Sequence, residues 1–188
     1  MKLFQTEKSM IQELNQMKSQ INIQNRTSDL IVQYLNVIDY DMFSESSKYV
    51  LNPINAFHLL KRLSEWIPKL KSKIPKLKFT YKARSLLDDY KMAINGIVEI
   101  QEYFDLDTND LAEGRIEDRR TGKIYQSNSP LTSSELFDLS EEAKTVGYLN
   151  NYVDWLTATL NKAVFEKKPQ KYITKLRYTK YRQHNFND

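Results

Sequence analysis

An all-α protein is what this chain of 188 residues predicts. Three observations lead there. Apolar residues recur at three- and four-residue spacing through most of the chain. Only four Gly and five Pro interrupt it. No run alternates apolar and polar residues strongly enough to read as a strand.

The first 40 residues read as one long coiled-coil-type helix. Met10, Leu14, Met17, Ile21, Ile31, Leu35 and Ile38 follow alternating steps of three and four, with Gln24 and Ser28 filling the gap. That is a heptad seam with a polar interruption, expected to pair two copies of the chain or to pack against the other helices. Residues 41–50 are a Ser-rich connector. Asn52 is placed to cap the next helix and Pro53 suits its first turn. Ile54, Phe57, Leu60 and Leu63 give it one apolar face, and Pro68 is expected to end or kink it. Lys69 to Lys78 then reads as a solvated basic helix end, its lysines favoured by the helix dipole.

A third helix is expected over about Ser85–Phe104, with Leu86, Tyr90, Ala93, Ile97, Ile100 and Phe104 inward. Asp107-Thr108 opens a short helical turn that ends at Gly114. Residues 115–130 lack helical periodicity and read as a linker. Thr132 with Glu135 forms a capping-box pattern. Gly147 is placed to close that helix, and Leu149 to about Phe165 gives an antiparallel second one. This helix–Gly–helix pair has the size of one tetratricopeptide-like repeat. The expected organisation is a helical N-terminal domain over 1–114, the linker, a partial tetratricopeptide-like domain over 131–166 and a basic tail over 167–188.

Three segments, in order, resemble one family. The stretch Asn52-Pro-Ile-Asn-Ala-Phe-His-Leu-Leu-Lys-Arg-Leu-Ser-Glu-Trp66 is the first. The helix Ala93-Ile-Asn-Gly-Ile-Val-Glu-Ile-Gln-Glu-Tyr-Phe-Asp-Leu-Asp107 is the second. The third is Leu131-Thr-Ser-Ser-Glu-Leu-Phe-Asp-Leu139, which looks like the opening of a peptide-substrate-binding domain. Together they resemble the collagen prolyl 4-hydroxylase alpha subunit over roughly residues 5–160. The resemblance implies an enzyme of the endoplasmic reticulum lumen that hydroxylates proline in procollagen using Fe(II), 2-oxoglutarate and ascorbate. It implies paired alpha subunits, protein disulfide isomerase as a partner, and a tyrosine-lined groove for proline-rich peptide. Aromatic faces suit proline rings, and hydroxyls reach the unpaired carbonyls of an extended peptide. Here Lys144 stands where the family has a groove tyrosine. Tyr148 and Tyr152 are the remaining peptide-binding candidates, while Trp155 reads as core.

Catalysis has no visible seat in these residues. The family's iron needs His-x-Asp and a distant His. The two histidines here read His58-Leu59-Leu60 and His184-Asn185-Phe186. Neither catalytic nor metal-ligating residues are expected, and no cofactor is expected to bind this chain. Cysteine is absent, which excludes disulfides and thiol chemistry. Charge is uneven: residues 166–188 carry seven Lys/Arg against two acids, leaving 21 basic and 22 acidic residues before them. A neutral body with a basic tail argues against a nucleic-acid partner. No apolar run reaches the ~20 residues of a membrane span, and Met1-Lys-Leu-Phe is followed at once by Gln5-Thr-Glu-Lys8, with no signal-peptide core. The expected role is that of a non-catalytic assembly region. The alternatives are a stand-alone helical adaptor that binds a partner helix, or a fragment without independent role.

Overall fold

The structure, a computed structural model, describes residues 2–20, 26–36, 38, 49, 51–77, 83–168 and 172. Among these residues the order is α1 (Lys2–Gln20), α2 (Arg26–Asn36), α3 (Pro53–Lys73), α4 (Ala83–Phe104), α5 (Thr108–Ala112), β1 (Arg115–Asp118), β2 (Lys123–Gln126), α6 (Ser133–Val146) and α7 (Leu149–Phe165). The chain is mostly helical, as its periodicity predicts. It divides into two compact units, Met1–Ala93 and Ile94–Asp188, with the division inside α4.

In the first unit α1, α2 and α3 pack in sequence, each on the next. This corrects the expectation of one long N-terminal helix. The Tyr34 hydroxyl donates to Glu7 Oε1 at 2.9 Å. In a single straight helix those two residues would stand ~40 Å apart, at 1.5 Å per residue. Burial is the reason for the turn: an isolated helix has nothing to cover its apolar stripe, and doubling back covers both halves. The expected seam lies in the resulting core. Met10, Leu14, Ile31, Leu35 and Ile38 are buried and Met17 packs against them; Ile21 is outside the described residues. Phe4, Ile11, Tyr34, Leu59, Leu63, Ile67, Leu70, Ile74, Leu77 and Leu86 complete the cluster. Each fully buried side chain of this kind contributes ~1.5–3 kcal/mol.

A charged group sits in the middle of that core. Glu7 is 0% exposed. Arg62 binds it with both ends of its fork, Nε to Oε1 at 2.7 Å and Nη2 to Oε2 at 2.9 Å. Tyr34 supplies a third donor, so α1, α2 and α3 are fixed to each other through one carboxylate. Burial opposes the Arg62 charge, but the Glu7 carboxylate holds it well above the usual guanidinium range. Burial, then Glu7, raises Tyr34 well above the tyrosine range, which keeps its hydroxyl a donor.

Asn52 caps α3 as expected, its Oδ1 accepting from Ile54 N–H at 2.8 Å. The helix does not stop at Pro68 but runs through it to Lys73. Ile67 and Leu70 are fully buried on either side, while Pro68 stands on the exposed face. There water can take the carbonyl that a missing N–H leaves open. Leu60 of the expected apolar face is half-buried, and Leu59 takes its place in the core.

In the second unit α6 and α7 pack along one another, and α5 sits against α7. Thr132 and Glu135 form the reciprocal capping box, and Gly147 closes α6 at φ 92°. Ser133 donates from N–H and Oγ to Glu166 at 2.9 and 2.7 Å, tying the start of α6 to the end of α7. Burial opposes the Glu166 charge, yet those two bonds, with Lys168 and Lys162, hold its carboxyl below the usual range. Residues 115–126 are a hairpin rather than an unstructured linker. Ile116 pairs with Tyr125 and Glu117 with Ile124. The signal was the turn. Asp118 accepts from Arg120 N–H and Thr121 Oγ1, and Gly122 takes φ 68°. Gly114 is required at its other end: at φ 77°, a Cβ there would lie 2.6 Å from Ser127 Cβ.

Removing Glu7 takes the paired carboxylate away from a buried guanidinium. Glu7→Ala is expected to destabilise the first unit by ~3–5 kcal/mol, whereas Glu7→Leu with Arg62→Leu recovers most of that loss. Urea unfolding of the two variants measures the difference.

Candidate functional site

The candidate site lies in the second unit, where the first turns of α7 meet the end of α4. Gly147 sets it up. Its left-handed turn lets Tyr148 N–H donate to Ala143 C=O at 2.9 Å, and α7 starts one residue later. Tyr148, Asn151, Tyr152 and Trp155 then recur at i, i+3, i+4 and i+7, which is one helix face. That face meets α4. The Tyr148 hydroxyl donates to Glu99 Oε2 at 3.1 Å. Asn151 Nδ2 donates to Glu102 Oε2 at 2.8 Å. Trp155 Nε1 donates to Gln101 Oε1, and Gln101 Nε2 donates on to Thr108 Oγ1 at 2.7 Å.

Trp155 is fully buried, as its place in the sequence suggested. Gln101 is 3% exposed and shares its stripe on α4 with Ile94, Ile97 and Val98. The expected stripe ended on Phe104 instead, and Phe104 is 56% exposed. By period Phe104 falls on the same face as Ile97 and Gln101, but it is the last residue of α4. A glutamine on an otherwise apolar stripe is itself a signal, because a buried amide needs partners. That signal was present in Ile100-Gln101-Glu102.

The two tyrosines singled out from the sequence lie one turn apart but in different environments. Tyr148 is half-buried at the surface, and its hydroxyl is committed to Glu99. That hydrogen bond raises its pKa above the usual tyrosine value, with smaller contributions from burial and the charges of Glu99 and Glu102. Tyr152 is 6% exposed, and Lys144 Nζ sits over its ring, 5.6 Å from the centroid. The lysine that replaces an expected groove aromatic therefore makes a cation–π contact with Tyr152 on α7. Near the same end of α4 is a polar cleft of about 490 Å³ walled by Asp105, Asp107, Asn109, Arg119, Asn151 and Asp154.

The iron chemistry implied by the resemblance does not fit the histidines present. His58 is half-buried on α3 with its ring 5.7 Å from that of Phe57; His184 is outside the described residues. No group of three His, Asp or Glu among the described residues could hold a metal. No helix among them is long and apolar enough to cross a membrane.

Fold and site together define a mostly helical region. The family model for the prolyl 4-hydroxylase alpha-subunit, N-terminal region, matches residues 1–118, and the chain belongs to that family. No curated protein and no solved structure matches it.

The Tyr148–Glu99 bond has a pH signature. A tyrosine whose folded pKa is raised binds its proton more tightly when folded. The bond's contribution is therefore complete below pH ~10 and is lost as pH rises through the higher folded value. In a spectrum of ring-labelled tyrosine, Tyr148 should ionise above the free-tyrosine value, and Glu99→Ala should bring it down. Trp155→Phe strands the buried Gln101 carbonyl and should destabilise the second unit by ~1–3 kcal/mol in thermal unfolding.

Proposed function

We propose that this chain is the assembly and peptide-presenting region of a prolyl 4-hydroxylase alpha subunit, working in the endoplasmic reticulum lumen. The family match over residues 1–118 carries this reading. The hydroxylation chemistry, with Fe(II), 2-oxoglutarate and ascorbate, belongs to a His-x-Asp site outside these 188 residues. Protein disulfide isomerase joins the intact enzyme through parts other than these.

Two copies of the chain pair through the first unit. The seam residues Met10, Leu14, Ile31 and Leu35 already lie in a single copy's core. Pairing through them means exchanging α1, so that the same core closes with a partner's α2 and α3. Such exchange keeps every contact and adds none, which makes it an inexpensive route to a dimer. The α6–α7 pair binds proline-rich peptide weakly. Tyr148 is its accessible ring, and one helix pair offers few others.

Three measurements and one double variant test these statements. Sedimentation of the purified chain should show a concentration-dependent dimer, and a monomer at every concentration would overturn pairing. Leu14→Asp with Leu35→Asp should unfold the first unit rather than yield a folded monomer, because both charges enter a closed core. Incubation with Fe(II), 2-oxoglutarate, ascorbate and a Pro-Pro-Gly repeat should release no succinate above a protein-free control. Titration of that peptide should give weak binding that Tyr148→Ala removes; tight binding indifferent to Tyr148 would displace the site.

A further inference from the structure

Gly96 has no packing or turn to explain it. It lies in the interior of α4, a helix of 22 residues. Unlike Gly114, Gly122 and Gly147, it does not take a positive φ. A Cβ added there would meet nothing within 4 Å. It shares a face of α4 with Met92 and Glu99, at i−4 and i+3, and that face is the outer one: Met92 is 72% exposed and Glu99 is exposed too. On such a face alanine forms helix better, because glycine loses the most backbone freedom when it is fixed.

Its neighbours weaken the same stretch. Ile94, Asn95, Gly96, Ile97 and Val98 include no strong helix former, and no other run in α4 without one is as long. The division between the two compact units falls at its edge, between Ala93 and Ile94. The flanking halves of α4 are held by different partners. Before the division, Leu86 is fully buried in the first unit's core, and the Tyr90 ring lies 5.3 Å from that of Phe57. After it, Glu99, Gln101 and Glu102 accept hydrogen bonds from Tyr148, Trp155 and Asn151. Ile94, Ile97 and Val98 are buried, so the weak stretch is held on its inner side and unsupported on its outer side, where Gly96 stands. Hydrogen bonds on the solvent side of a helix are the ones that lengthen when it bends, and glycine is a common site of kinks.

We propose that α4 is jointed at Asn95-Gly96. Its outer hydrogen bonds open there, and each half of the helix moves with the unit that holds it. Hinges of this kind need only a few residues that absorb a change in φ and ψ, and glycine absorbs it at the lowest cost. Each unit keeps its own core while the helix bends, so a partner held by one unit does not constrain the other.

Amide hydrogen exchange on the full chain reads the opening. The amides of Ile97, Val98, Glu99 and Ile100 bond back to residues 93–96 in the helix. They should exchange faster than those of the turns on either side, despite the burial of Ile97 and Val98. Gly96→Ala should slow them on the order of fivefold, and Gly96→Ser should fall between, in the order of helix propensity. The chain has no cysteine, so pairs of introduced cysteines take spin labels at chosen exposed positions. With Ser72→Cys in the first unit and Asn150→Cys in the second, the distance distribution should be broad, and Gly96→Ala should narrow it. A pair inside the first unit, Gln12→Cys with Ser72→Cys, should give one narrow distribution that Gly96→Ala leaves unchanged. Uniform protection along α4 overturns the joint. So does a distribution between the units that is already narrow with Gly96 in place, or one as broad with alanine as with glycine.

Discussion

One buried carboxylate governs the first unit. Glu7 on α1 is fully enclosed, and a charge there is tolerated only with its hydrogen-bonding capacity filled. Arg62 on α3 and Tyr34 on α2 fill it. An apolar residue at position 7 would pack in many registers. A carboxylate that needs a fork from one helix and a hydroxyl from another accepts very few. The triad therefore contributes specificity more than net stability, since removing two charges from water offsets much of their attraction. The apolar cluster around it supplies the driving force, and the triad selects which arrangement of three helices that force produces.

The second unit solves the same problem with neutral groups. Gln101 on α4 connects Trp155 on α7 to Thr108 at the start of α5. An amide can accept and donate at once, so a single buried side chain joins three elements without a charge to desolvate. The chain from Trp155 outward then orders the surface. Trp155 fixes the face of α7, Asn151 and Tyr148 lie one and two turns back along it, and their donors hold Glu102 and Glu99. The positions of Glu99 and Glu102 at the surface are thus set from a core contact.

Membership of the prolyl 4-hydroxylase alpha-subunit family rests on the N-terminal region, residues 1–118. Where the family resemblance places a groove aromatic, a lysine sits over the ring of Tyr152, which is itself buried. Tyr148 is the ring nearer the surface, and its hydroxyl is held by Glu99.

Local signals were legible in the sequence because local chemistry produces them. The caps at Asn52 and Thr132, the stop at Gly147 and the burial of Trp155 follow from side chains within a few residues of where they act. Pro68 was expected to end or kink the helix and does not end it, because its cost depends on what lies opposite, and Ile67 and Leu70 are buried deeply enough to carry the helix past it. The hairpin at 115–126 was passed over because its strands are short and half-exposed, so they show little alternation, although Asp118 and Gly122 marked the turn. The doubling back of α1 on α2 had no local signal at all. A heptad seam states that a stripe must be covered and does not say by what. Only the tertiary structure decides that, through Glu7, whose partners lie 27 and 55 residues away. By itself the sequence determined the family, the helical class and the helix caps, which depend on nearest neighbours. Which faces meet depends on residues far apart in the chain and was settled only by the fold.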